Sequence, residues 1–590
     1  MKAYQTQIEE IEQTLQVKQK HHFQYALLRC MLMLGVIFSL YYAIQFSTIF
    51  YSLTVLSFIL FCYFVKRHTK LKRAIEFQKE EIVVLQKLLA RQSDDWKQEE
   101  IEGNLEKYDN ATMEDLDILG ATSLFQYINM AHTPFGKKSV QQLLNHPCST
   151  IEEIRERQKA VLELSKQEAF LHKLQVQSSL FAKHSKKISI SSLEDMFEEK
   201  REGYPLWKQY ILMILRILTI TTGVLTFLFS FPAGYFYLLC LCNVVLSLLF
   251  YSTHHQRFQH VKNIQGVLKD YEDMIAHICS VSFQTPSLCH IQHKLQEAFK
   301  AMRRFSLISM LLQLRYNILL FLPVNAVYLF DFKCDILLYR WMKRYGSQMS
   351  IWFTAIGEME SLSSLCVITQ VKETWCIPTL EDAEKVVFSI NDGVHPLIQE
   401  SKAVANTIHT TANSYLLTGS NMSGKTTFLR MLGVNLVLLK AGAPVCAKAM
   451  HSSLLSLYTS MRVHDEVQKG ISTFYAELLR IKEMVTYSSK QIPMIVFIDE
   501  IFKGTNSIDR IYCAKEVIKA LHQPWVITFV STHDFELCDL AEDPFIQAKN
   551  YHFEEFYEED KICFDYQLKD GKCTTTNARA LMKMIGLFNS

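Results

Sequence analysis

The stretch Tyr415-Leu416-Leu417-Thr418-Gly419-Ser420-Asn421-Met422-Ser423-Gly424-Lys425-Thr426-Thr427 decides the fold of the C-terminal part of the chain. Four residues of buried-strand character run into Gly-x-x-x-x-Gly-Lys-Thr, and an apolar helical pattern, Phe428–Leu439, follows. Strand before and helix after is the context in which this loop cradles phosphates. Gly419 and Gly424 let the backbone wrap closely around an anion. Successive N–H groups and the helix N-terminus supply fixed positive potential. Lys425 would reach the β- and γ-phosphates, and Thr426 would place its hydroxyl on Mg²⁺. The candidate nucleotide-binding set is therefore Gly419, Ser420, Asn421, Met422, Ser423, Gly424, Lys425, Thr426 and Thr427.

Working outward, Ile495-Val496-Phe497-Ile498 is an apolar strand ending in Asp499-Glu500. Carboxylates at the C-terminal end of such a strand lie where α/β sheets bind ligands. Asp499 is the candidate Mg²⁺ holder beside Thr426, and Glu500 the candidate to polarise an attacking water. A further strand, Val526–Val530, ends at Ser531-Thr532-His533, where a histidine could sense the γ-phosphate. With Val386–Ile390, these β-rich runs alternate with helical stretches, which predicts a mostly parallel α/β domain.

The N-terminal half reads differently. The chain has 590 residues with only 19 Gly and 12 Pro, so long helices are expected. Hydrophobic residues make up 49% and charged residues 21%, which excludes a disordered or fibrous chain. Lys and Arg number 62 against 60 acids, so no global basic field announces a nucleic-acid binder. Fifteen cysteines without a CxxC pair suit a reducing compartment. Cys30–Val65 carries no charged side chain. As one helix it would run about 54 Å, against a hydrocarbon core of about 30 Å. Two spans turning near Gln45-Phe46-Ser47-Thr48 fit better. Ile211–Tyr251 repeats the pattern with a break at Phe231-Pro232-Ala233-Gly234, and Arg216 near its start is expected to snorkel. Lys and Arg flank both hairpins and are absent from their turns, so both termini and all large segments are expected on the cytoplasmic side. Asn317–Phe330, short and containing Pro323, reads as soluble core, and Phe258–Arg304 as helical with a slight basic excess.

Several motifs together resemble the MutS family of DNA-binding ATPases. Thr418–Thr427 looks like the family's TGPNMGGKST, Asp499-Glu500-Ile501-Phe502-Lys503-Gly504-Thr505 like its DEIGRGT, and Ser531–Leu537 like its ATHYFEL. Gly470–Glu477 resembles GRSTFMVE, and His395-Pro396-Leu397-Ile398 the RHPLIE segment beside the adenine pocket. Ala111-Thr112, Leu116-Asp117, Thr133-Pro134-Phe135-Gly136 and Ile154–Val161 look like the opening of the family's core domain. The resemblance implies ATP and Mg²⁺ as ligands and a P-loop ATPase domain of the ABC type. It implies Lys425, Glu500, His533 and Ser472 as the catalytic set, and His395 beside the base. It also implies a homodimer through facing ATPase domains, with Ser472 and Phe474 approaching the partner's nucleotide.

The sequence departs from the family pattern in ways that matter. Ser420 and Ser423 replace Pro and Gly, and Arg510 follows Asp509 where the family usually has Gly. The residues before position 105 leave no room for the mismatch-reading and connector domains. An apolar hairpin stands where the DNA-clamping tip would be, and Ser590 follows soon after the ATPase core.

The resulting expectation is a mixed fold: a mainly α-helical N-terminal half with two transmembrane hairpins, and a C-terminal α/β P-loop domain. Its layout is residues 1–29 as an N-terminal helix, 30–65 the first hairpin, 66–104 a helical linker, 105–205 core and lever helices, 206–252 the second hairpin, 253–380 the lever return and 381–590 the ATPase domain. The function expected is a membrane-anchored, ATP-driven clamp on DNA through phosphate contacts, with the lipid bilayer as a further partner. The alternatives are an ATP switch acting on a protein partner and a transporter-type ATPase.

Overall fold

The computed structural model describes residues 2–46, 49–99, 111–146, 150–185, 203–315, 318–382, 386–462, 473–502, 506–558 and 561–573. Helices α1 (Lys2–Gln45) and α2 (Ile49–Gln92) are each 44 residues long and pack as an antiparallel pair. Their apolar halves face outward, with Phe38, Phe46 and Phe58 exposed. The second half of α2 is amphipathic, and its Val84 and Leu88 enter the main core with Trp96 of the following turn. Short α3 (Ala111–Asp115) and α4 (Leu124–Ile128) precede α5 (Pro134–Asn145), α6 (Ile151–Ser165) and α7 (Glu168–Ser185). Three of these starts are capped by side chains, α4 by Ser123, which accepts from the N–H of Gln126. Thr133 accepts from the N–H of Gly136, with Pro134 in the first turn, and Thr150 accepts from that of Glu153.

The second apolar hairpin is α8 (Leu206–Phe229) and α9 (Ala233–Leu249), joined through Ser230, which adopts a left-handed φ of 52°. Two long helices follow, α10 (Tyr251–Cys279) and α11 (Pro286–Leu314). Phe258–Arg304 is therefore not one helical run. It breaks at Ser280–Thr285, where the Glu163 carboxylate of α6 accepts from the N–H groups of Gln284 (2.7 Å) and Thr285 (2.8 Å). Then come α12 (Ile318–Tyr328), α13 (Phe330–Tyr345), α14 (Met349–Leu365) and α15 (Val367–Val371).

The structure corrects the reading of Asn317–Phe330 as soluble core. Helix α12 packs on α8 and α9, and Leu329 belongs to a separate apolar cluster with Leu212, Phe332 and Ile336. Polar contacts hold it there. Asn243 donates to Thr219 (3.0 Å) and to the carbonyl of Ala326 (2.8 Å). Arg216 donates to the carbonyl of Tyr328 (2.8 Å), and its guanidinium lies 4.6 Å from the Tyr328 ring centroid. Arg216 is thus held by a protein partner rather than reaching outward alone.

By length and composition, four helices or helical runs among the described residues could cross a membrane, and α9 joined to α10 across a 57° bend would make a fifth. Burial separates them. The apolar window within Phe330–Val371 is 83% buried inside the protein, whereas that of α2 is 0% buried and that of α8 is 11%. The first is core, and the others present their apolar faces outward.

The C-terminal part holds two sheets. Strands β1 (Thr379–Glu381), β2 (Phe388–Gly393), β3 (Asn406–His409) and β5 (Ala449–Ser453) form a mixed sheet in the order β1-β5-β2-β3, while β4 (Ser414–Thr418) leads into α16 (Lys425–Ala441). The larger sheet has the order β10-β9-β4-β8-β7-β6, with β6 (Ser456–Ser460), β7 (Met494–Asp499), β8 (Val526–Ser531), β9 (Lys549–Glu558) and β10 (Lys561–Asp570). All its pairings are parallel except β9 with β10. Strands β4, β7 and β8 are buried at every residue, as continuous apolar runs in a parallel sheet should be. Helices α17 (Thr473–Ser488) and α18 (Ser507–Leu521) cover one face, and α16 packs on β7 and β8.

In the helical part, α5 and α14 cross backbone to backbone. A side chain at Gly357 would stand 2.6 Å from the carbonyl carbon of Phe135. Beside the crossing, the buried Glu360 carboxylate accepts from the hydroxyls of Thr133 and Ser178 and from the N–H groups of His132 and Thr133. Gly357→Ala is expected to destabilise the protein by about 1–3 kcal/mol through overpacking. A thermal unfolding midpoint equal to that of the parent protein would contradict the close approach.

Candidate functional site

The loop after β4 has the geometry its glycines require. Gly419 has φ 148° and Gly424 φ 108°, and a side chain at Gly419 would meet the Phe553 carbonyl at 2.8 Å. The loop curls over the start of α16, with Lys425 Nζ donating to the carbonyls of Gly419 (2.7 Å) and Ser420 (2.8 Å). The buried Ser423 hydroxyl has no partner among the described residues. Ser420 donates to the carboxylate of Glu555 on β9.

Parallel pairing of β4, β8 and β7 brings three sequence-distant ends together. Thr426 Oγ1 donates to Asp499 Oδ2 at 2.6 Å, and Ser531 donates to the other Asp499 oxygen. A hydroxyl and a carboxylate in contact are hard oxygen donors of the kind Mg²⁺ takes, so the residues fit that ion. Glu500 leaves the strand in a left-handed conformation, φ 53°, with its N–H held by the carbonyl (3.1 Å) and hydroxyl (3.0 Å) of Ser531. Its carboxylate meets His533 Nε2 at 3.2 Å. Phe502, also left-handed at φ 60°, donates its N–H to the buried Glu477 at 2.6 Å.

The loop opens onto a cleft of about 500 Å³. His395, Ile398, Val404 and Asn406, which precede the loop in sequence, line it, and Phe553 of β9 and Tyr566 of β10 line it as well. Burial, then the nearby cations Arg430, Lys372 and Lys97, push the His395 imidazole down to about 3, so it is neutral near pH 7. Its Nδ1 accepts from the Leu397 N–H at 3.2 Å. Of the residues singled out by sequence, Gly419 (by the loop's own curl), Ser420, Asn421, Met422, Ser423, Gly424, Lys425, Thr426, Thr427, His395 and Glu500 all lie at this cleft, with Asp499 and His533 reaching it through Thr426 and Glu500. Ser472 lies outside the described residues. Phe474, expected to face a partner, packs edge-on against Phe502 of its own chain with centroids 5.8 Å apart.

Sequence reasoning missed Tyr566, Phe553, Glu555 and Ser531 as parts of this site. Tyr566 has a left-handed φ of 54°, and its carbonyl accepts from Asn406 at 3.0 Å. Ser531 was visible at the end of β8, but nothing in the sequence shows that its hydroxyl would reach Asp499.

With this geometry in place, the comparisons with known proteins are decisive for the two segments they cover. Residues 415–589 match MutS domain V, and residues 105–196 match MutS domain III. Two segments of the chain therefore resemble MutS domains III and V. The chain is similar to the DNA mismatch repair protein MutS of Aquifex pyrophilus, 28% identical over 240 residues, which is 40% of this chain and 27% of the relative. It is also similar to the DNA mismatch repair protein MutS of Bacillus thuringiensis (strain Al Hakam), 31% identical over 224 residues, 37% of this chain and 24% of the relative. The matched region thus spans about a quarter of the length of these curated relatives. In MutS domain V terms, the cleft and the carboxylate end of β7 fall inside the matched segment, whereas His395, Val404 and Asn406 lie ahead of it.

Tyr566 lines the cleft and would cover the base of a nucleotide seated there. Tyr566→Ala is expected to weaken binding of a fluorescent ATP analogue about tenfold, in line with roughly 1–3 kcal/mol for a stacked base. A dissociation constant equal to the parent's would remove Tyr566 from the pocket.

Proposed function

We propose that the chain is a MutS-type ATPase held at a membrane, which hydrolyses ATP to ADP and phosphate and uses the cycle to close and release a clamp on DNA. The observation that carries this reading is the convergence of Thr426, Asp499 and Ser531 beside the loop, with Glu500 and His533 paired at its edge. Mg²⁺, held by Thr426 and Asp499, would neutralise charge between the phosphates. Lys425 exchanges its two loop carbonyls for phosphate oxygens when nucleotide enters. Glu500 orients the attacking water and takes its proton, and His533 fixes the Glu500 carboxylate from the other side. The neutral His395 and Tyr566 hold the base.

Two copies face each other in this reading, with Ser472 of one approaching the nucleotide of the other. ATP bridges the copies and hydrolysis removes the bridge, which makes a switch. The outward-facing apolar surfaces of α1, α2, α8 and α9 support a bilayer as a further partner. Both termini and the ATPase domain then lie on its cytoplasmic side. DNA contact goes mainly to phosphates.

Glu500→Gln is expected to cut turnover at least about 100-fold while nucleotide binding persists. Unchanged turnover would remove Glu500 from the mechanism. DNA binding by the detergent-purified protein is expected to fall steeply with salt and to depend on ATP. Negligible binding at low salt would instead point to a protein partner.

A further inference from the structure

Two departures from the family's motifs meet in space. Arg510 stands where the family usually has Gly, and Asp534 stands where ATHYFEL has Tyr. Arg510 Nε lies 2.7 Å from Asp534 Oδ2, and Nη2 lies 2.7 Å from Oδ1. This is a two-pronged ion pair with a fixed relative orientation. Side-chain exposures of 29% and 15% make it half-buried rather than a loose surface pair.

The pair sits one residue from the chemistry. Asp534 follows His533 directly, and its N–H bonds the Thr532 hydroxyl at 3.0 Å, which tightens the loop. Thr532 is fixed in turn to the carbonyl of Leu417, on the strand that enters the phosphate loop. Arg510 belongs to the first turn of α18, whose start is capped by Asn506 accepting from the Asp509 N–H at 2.8 Å. Glu500 heads the connection into that helix. Together with the covalent chain from Glu500 to the head of α18, these contacts close a ring from Glu500 through His533, Asp534 and Arg510.

That ring answers a mechanical need. With φ 53°, Glu500 has already left regular strand geometry, so strand pairing alone does not aim its carboxylate. His533 is 39% exposed and sits on a loop, so it needs an anchor of its own. We propose that Arg510 and Asp534 are positioning residues for hydrolysis, an ion pair that ties the His533 loop to the head of α18 and so holds the Glu500 carboxylate in register with the phosphate loop. The proposal rests on the reading of this site as an ATPase and adds to it a brace made of residues particular to this chain. Neither residue lines the cleft, so the brace is expected to act on kcat and to leave nucleotide binding alone. A displacement of about 1 Å at the reacting groups is enough to cost up to about 100-fold.

The test is steady-state ATP hydrolysis and fluorescent-ATP binding by the full chain in detergent. Arg510→Gly and Asp534→Asn are each expected to lower kcat about tenfold, with KM and the nucleotide dissociation constant within twofold of the parent. Arg510→Lys, which keeps the charge and loses the fork, should fall between. The exchanged double variant, Arg510→Asp with Asp534→Arg, should recover to within about threefold of the parent. Full activity in the single variants, a rise in KM at constant kcat, or a double variant worse than either single overturns the proposal. Turnover that is lost in Glu500→Gln but kept in Arg510→Gly overturns this proposal alone. No turnover in the parent protein overturns the ATPase reading together with it.

Discussion

The carboxylate of Asp115 is the joint on which the two halves of the molecule depend. It is fully buried. It accepts from the Thr459 hydroxyl (2.7 Å), from the N–H groups of Met461 (3.0 Å) and Arg462 (2.9 Å), and from Arg480 (3.2 Å). Its neighbour Asp117 takes both prongs of Arg462 (2.6 and 2.9 Å) and one from Arg430 (2.9 Å). Arg430 rides on the helix that starts at the phosphate loop, Arg462 leaves β6, and Arg480 sits on α17. Two acids of the segment that matches domain III thus hold three elements of the C-terminal α/β part at once. A buried charge of this kind is tolerable only when its partners are complete. Any rearrangement around the nucleotide must move these partners together or break them.

The parts legible in the sequence are those whose chemistry forces residues to be contiguous. The phosphate loop needs its strand, glycines, lysine and helix in one run, and Asp499-Glu500 must end an apolar strand. The helical N-terminal half followed by an α/β sheet domain was legible for the same reason, since continuous apolar runs and glycine spacing mark it. What was hidden depends on contacts between distant segments. The β9–β10 pair reads as charged and aromatic residues without a Gly or Pro turn, so Tyr566 and Glu555 gave no signal. The serine-rich β5 and β6 lack the apolar runs of buried strands. The break ahead of α11 did carry a signal, Thr285-Pro286, a frequent start of a helix.

The two apolar hairpins differ in how they join the rest. The first is a plain pair whose α2 continues unbroken into the core. The second gains α12 and a set of internal polar bonds through Asn243, Thr219 and Asn325. Just below it, Arg315 meets Asp331 at 3.3 Å and Arg257 meets Asp335 at 2.6 Å, both acids buried. Polar groups in an apolar setting hold a defined geometry because leaving them unpaired is costly.

The unbroken course of α2 has a mechanical corollary. Helix α2 runs out of the first apolar hairpin and helix α10 begins next to the second, and both pack against α7. The interval from Val65 to Val84 on α2 spans about 28 Å at 1.5 Å per residue. Were both hairpins seated in one bilayer, as proposed above, the two stalks and α7 between them would form a parallelogram linkage. Sliding one stalk against the other by a single helical turn, about 5.4 Å, would shear the frame and tilt one hairpin relative to its neighbour.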